Sequence, residues 1–178
     1  MSSSPPQREH GLLKIHRVLR PGFGTEAAVY GTILMSGLIA VSSAHGETSA
    51  VVLLTVGITV VVFWSAHVYA GTVARVGDED ESGHVIGVGT ALRSSLGHSF
   101  GMLSSAAVPG AILLAGVTRV IPDDFANDLA LWSGTVILAL LGYIAFLRRG
   151  SSLIVRIVGA IGTACFGIVF VVLKALVH

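Results

Sequence analysis

One cysteine, Cys165, is the whole thiol complement of this 178-residue chain. That excludes a disulfide framework and any Cys-based metal spacing. Charge is scarce as well: Asp, Glu, Lys and Arg make up 12% of the residues, about half of what a soluble domain carries. The net charge of +1 leaves no electrostatic footprint for nucleic acid. No nucleophile–base pairing, HExxH, phosphate loop, CxxC or haem-attachment pattern occurs, so an enzyme is not expected. What fills the chain instead is apolar: 53% of the residues are hydrophobic, and they come in long runs.

Five runs reach or approach the ~20 residues that a helix needs to cross a bilayer core: 27–44, 51–74, 100–121, 125–147 and 152–177. The first ends in Ser42-Ser43-Ala44, which looks like a leader-cleavage site. Glu26 abuts its start, however, and a long segment precedes it, which favours a membrane span. The connections alternate in charge. Arg8, Lys14, Arg17, Arg20, Arg75, Arg93, Arg148, Arg149 and Arg156 fall on one side of the membrane, and only Arg119 and Lys174 on the other. The basic-rich side is the cytoplasmic one. The expected fold is therefore all-α: a polytopic five-helix membrane bundle with a cytoplasmic N-terminus. Nine of the eleven basic residues are Arg, in keeping with a GC-rich bacterial genome and a plasma-membrane location.

Residues 1–10 read as disordered, and 11–22 as a basic amphipathic segment suited to an anionic lipid surface. The five-helix domain takes 23–178. Within it, 76–99 combines an acidic loop, Asp78-Glu79-Asp80-Glu81, with an interfacial helix that feeds the third span. Small residues four apart, Thr32/Ser36/Ala40 and Gly159/Thr163/Gly167, predict close helix contacts, within a subunit or across a homodimer. Pro109 interrupts the third span and frees a backbone carbonyl. Asp123 and Asp124 are expected to cap the fourth helix.

An ionisable group inside a span marks a candidate functional site. His67, in Phe63-Trp64-Ser65-Ala66-His67-Val68-Tyr69, is the clearest case. It lies eight residues before Arg75, so roughly 12 Å deeper than that backbone, which is near mid-membrane if Arg75 marks the interface and shallower if Arg75 snorkels. Glu26 opens the first span, Tyr30 sits one turn above it, and His98 opens the third. Imidazole and carboxylate together suit iron, manganese or zinc, and His also passes protons near neutral pH. A His in a span also serves plain packing, by hydrogen-bonding a Tyr or a carbonyl.

The order of features resembles the vacuolar iron transporter family. The matching features are Glu26 with the small-residue segment 37–44, Tyr69 in His67-Val68-Tyr69-Ala70, Pro109, Gly142-Tyr143, and the Gly/Ala-rich stretch 159–164. The resemblance runs from about Thr25 to Leu176. It implies five spans with a cytoplasmic N-terminus, and Glu26 as a metal ligand. The chain departs from the family pattern at three places. Trp64 stands where the family has a methionine, Val68 where many members have a glutamate, and the acidic metal-collecting domain shrinks to Asp78–Glu81.

The expectation is thus a dimeric transporter of a divalent transition metal, with the ion as substrate, Glu26, His67, Tyr30 and His98 as its ligands, and proton exchange as a candidate coupling. No resident cofactor is expected. A non-transporting scaffold or accessory subunit, or an ion or proton channel, is the alternative.

Overall fold

In an apolar run the backbone satisfies its own hydrogen bonds only as a helix. The computed structural model, which describes residues 26–79 and 84–177, has five of them. They are α1 (Glu26–Ala44), α2 (Ser49–Val73), α3 (Val88–Val117), α4 (Asp123–Arg148) and α5 (Leu153–Val177). All five are long and apolar enough to cross a membrane, which makes this an all-helical, multi-pass membrane protein. The segments 1–10 and 11–22 and the centre of the acidic loop lie outside the described residues. The end of the bundle where α1 begins is called proximal below, and the opposite end distal.

Like α4, helix α1 packs against all four other helices. Its buried positions include Thr32, Ser36, Ala40 and Ser43, a stripe of small residues that lets neighbours approach. Gly31 meets Met102 of α3 so closely that a Cβ there would lie 2.7 Å from that side chain. At the periphery, α5 buries only Gly159 and Gly167. It is held to α4 by small residues, with the Thr163 hydroxyl donating across the seam to the Leu138 carbonyl at 2.7 Å.

The structure corrects the expected boundary at the third span. No separate interfacial helix precedes it: α3 runs unbroken for 30 residues, about 45 Å at 1.5 Å per residue. Nothing between Val88 and Pro109 is a strong helix breaker. Ala91, Ser95 and Ser99 form a buried stripe along the proximal half, where Ser95 faces Gly71 of α2. Pro109 is itself buried and the helix continues through it. The distal end of α3 closes with Arg119 in the left-handed region (φ 58°). There the Val120 N–H bonds to the Ala115 carbonyl and the Arg119 N–H to that of Gly116, a Schellman-type stop. The connection from α2 to α3 is a small hairpin. Ile86 N–H donates to Asp78 O at 2.8 Å, and Gly77 N–H to Ile86 O at 3.2 Å.

Asp123 and Asp124 lie in the first turn of α4, as expected, but the Asp123 carboxylate does not cap its own helix. Its Oδ1 accepts from the backbone N–H of Ser49 at 3.1 Å and so caps α2, whose own N-cap residue Thr48 makes no side-chain bond. Ser49 Oγ donates to Asp123 O and to Asn127 Oδ1, and Asn127 Nδ2 to Glu47 O at 3.0 Å. Ser49 and Asn127 are almost fully buried. The turn between α1 and α2 is thereby clasped to the start of α4. The cause is a shortage of donors and acceptors: the first N–H groups of a helix need partners, and here a side chain from a distant helix supplies one.

Candidate functional site

The tight helix pairs fix a register, and the register fixes depth. Gly31 stands opposite Met102, Gly71 opposite Ser95, Gly134 opposite Ser36 and Gly142 opposite Gly159. Counting along each helix from these pairs, Glu26 comes level with about Gly97, His67 with about Ser99, and Tyr143 with about Glu26. Glu26, His67, His98 and Tyr143 therefore share one level to within about one helical turn. Tyr30 is one turn more distal.

That level is shallow. From it to the distal ends of α1 to α4 the helices run 18 to 20 residues, about 27–30 Å. From His67 to the proximal end of α2 is six residues, about 9 Å. The helices α2, α4 and α5 have 25 or 26 residues, and so rise about 38 Å around a hydrocarbon core of about 30 Å. Centred on that core, the level lies within about 5 Å of its proximal boundary. That agrees with the shallower of the two depths left open for His67. Arg75 misleads because its guanidinium folds back along the helix. Nη1 donates to Gly71 O at 3.0 Å and to Ser95 Oγ at 2.9 Å, so the charge sits a turn more distal than its own backbone.

The groups share a level but do not converge. Glu26, Tyr30, His67 and His98 are all exposed on the surface of the single chain. Tyr30 is 62% exposed and Tyr69 72%, so their rings face outward rather than toward a central path. Among the described residues no group of three His, Cys, Asp or Glu side chains is placed to hold a metal ion. The buried seam of α2 is Val52, Val56, Val60 and Val68, and His67 falls beside it. The arrangement is a belt: a carboxylate, two imidazoles and phenols around the outside of the bundle at one depth. Such a belt meets either lipid or another protein chain, and it becomes a multidentate site only where a second surface comes up against it.

Sequence reasoning missed three polar features. Arg75 bridges α2 and α3. The clasp of Ser49, Asp123 and Asn127 joins three elements at the distal end. Two buried donors, Ser36 Oγ and Trp64 Nε1, have no hydrogen-bond partner among the described residues. Ser36 is pressed against Gly134 and leaves its hydroxyl no room for a better contact. The half-buried Trp64 packs its ring and forgoes the hydrogen bond.

Grooves among the described residues include two of different character. One, of about 500 Å³, lies between α2 and α3 and is lined by Ser65, Val68, Tyr69, Thr72 and Leu92 among others. Its hydroxyls are turned back to their own helix, Ser65 to Val61 O and Thr72 to Val68 O, so the wall is apolar. The other, at the distal end, carries charge and is taken up below. No protein-family model, no curated protein and no solved structure matches the chain.

Proposed function

We propose that this membrane protein moves a divalent transition metal, of the iron or manganese class, and that the ion is bound where the belt of one subunit faces another. The observation that carries this reading is the outward placement of Glu26, His67 and His98 at a single depth. Carboxylate and imidazole are the donor set for such ions. The described residues of one chain do not gather three of them, so this reading calls for an oligomer. Near the boundary of the hydrocarbon core, ionisable groups are less costly than at its centre, and the belt is within reach of an ion arriving from the proximal face. The charge bias supports a cytoplasmic assignment for that face. Resemblance to the vacuolar iron transporter family points to the same cargo class. His67 is the added ligand of this chain, beside Glu26, with Tyr30 and His98 in support.

The test is flux. In proteoliposomes, His67→Ala and Glu26→Gln are each expected to lower Fe²⁺ or Mn²⁺ uptake at least fivefold. Both side chains are exposed in the single chain, so the loss would not report unfolding. Equal flux from the parent and His67→Ala would remove the site assignment.

A second reading is favoured by the absence of a three-ligand group within the described residues of one chain. In it the protein is a non-transporting accessory subunit, and the belt is a contact for a partner's helices. It predicts that the double substitution of Glu26 and His67 changes which proteins co-purify while metal flux stays at the background of empty vesicles throughout.

A further inference from the structure

The second groove lies at the distal end, where α4 and α5 come together beside the end of α1. It encloses about 290 Å³ and is lined by Asp124, Asp128, Leu131, Trp132, Val171 and Lys174 among others. Lys174 pairs with Asp128. The lysine side chain is 12% exposed and the aspartate 59%, so the ammonium is drawn into the wall while its partner stays at the rim. The side chain of Asp124, exposed and one turn before Asp128 on the same helix, has no hydrogen bond or ion pair among the described residues. Two carboxylates against one ammonium leave one uncompensated negative charge in the groove. Leu131 and Val171 make its floor apolar, and the indole of Trp132 forms part of the wall.

We propose that this groove binds an organic ammonium group, held by the Asp124 carboxylate with its apolar substituents on Leu131, Val171 and the Trp132 ring. Charge balance calls for one positive charge. An indole face attracts an alkylammonium ion, and the apolar floor receives methyl or methylene groups that a bare metal ion lacks. Calcium takes six to eight oxygen ligands and magnesium keeps several waters, and a lone carboxylate beside hydrocarbon suits neither. The pairing of Lys174 with Asp128 keeps the second carboxylate occupied and leaves Asp124 as the recognition group. The groove also lies near the distal boundary of the hydrocarbon core. The ammonium can therefore come from a soluble amine or from the headgroup of an aminophospholipid.

The test uses the full chain in nanodiscs of phosphatidylglycerol, a lipid without an ammonium group, held by a tryptophan-free scaffold, with Trp64→Phe as background. The chain has two tryptophans, so Trp132 is then the only indole. Tetramethylammonium chloride is titrated against sodium chloride. A parallel arm replaces part of the lipid with phosphatidylethanolamine and adds no soluble amine. The expected result is a saturable change in Trp132 emission in at least one arm, weakened at least tenfold by Asp124→Asn and restored by Asp124→Glu. Saturation with tetramethylammonium alone identifies a soluble ligand, and a shift in the phosphatidylethanolamine discs identifies a lipid. No saturable change in either arm, or equal affinity in Asp124→Asn, overturns the proposal. Neither outcome depends on the metal flux proposed above.

Discussion

Replacing Gly142 with leucine is expected to separate α5 from α4 and to cost the fold about 3 kcal/mol or more. A Cβ at Gly142 would lie 2.5 Å from the carbonyl oxygen of Gly159 and 3.0 Å from its carbonyl carbon. Backbone blocks the new atoms, so no side chain can rotate away and the helices must move apart. The Thr163–Leu138 hydrogen bond then goes with them. A loss of that size lowers the melting temperature of a chain this long by roughly 6–12 °C. Gly162 provides the control, because nothing lies within 4 Å of a Cβ built there. Gly162→Leu should melt within about 2 °C of the parent. If the two variants melt alike, the glycine seam does not hold α5.

The second large effect belongs to Asn127. Changing it to leucine removes the donor to Glu47 O and one acceptor of Ser49 Oγ, in a place where Ser49 and the asparagine are sealed from solvent. Ser49 Oγ keeps Asp123 O as an acceptor, so the loss expected is that of one polar group left without its partner, about 1–3 kcal/mol. Asn127→Asp keeps the acceptor but sets a carboxylate oxygen against the Glu47 carbonyl in a buried place, and should be no more stable than the leucine variant. Thermal unfolding of the purified chain measures both. A leucine variant as stable as the parent would mean that water, rather than Asn127, satisfies the α1–α2 turn.

Spans and side-chain positions were not equally legible in the sequence. The five helices could be read off because each apolar run is long and bounded by charge, Pro or Gly, and their ends shift by only one or two residues, except at α3. There, Ala91, Ser95 and Ser99 bring a polar-looking segment into the same helix, because a serine stripe packs on Gly71 as well as an apolar stripe would. Depth was only partly legible. Counting from Arg75 assumed that its charge points to water, whereas it points at Ser95. The facing direction of His67 was not legible at all. Positions 51–63 are almost uniformly apolar, so no periodicity marks the seam Val52, Val56, Val60 and Val68. Which side of α2 is buried depends on α3, not on α2. The Asp123 cap was hidden for a similar reason: proximity in sequence favoured its own helix, and the N–H that it serves is 74 residues away.

That distance orders the making of the protein. The turn 45–48 leaves the ribosome long before Asp123 and Asn127 exist. At 5–20 residues per second the wait for a partner 74–80 residues on is roughly 4–16 s. During that interval the first hairpin in the membrane has an uncapped α2 and an unbonded Glu47 carbonyl, both at the distal surface, where water can serve them. The hairpin is provisional until the fourth helix inserts, and α4 is the piece that locks it. A nascent chain halted before residue 123 should therefore hold α1 and α2 only loosely together, and the bundle closes around α1 from its last helices rather than growing outward from its first.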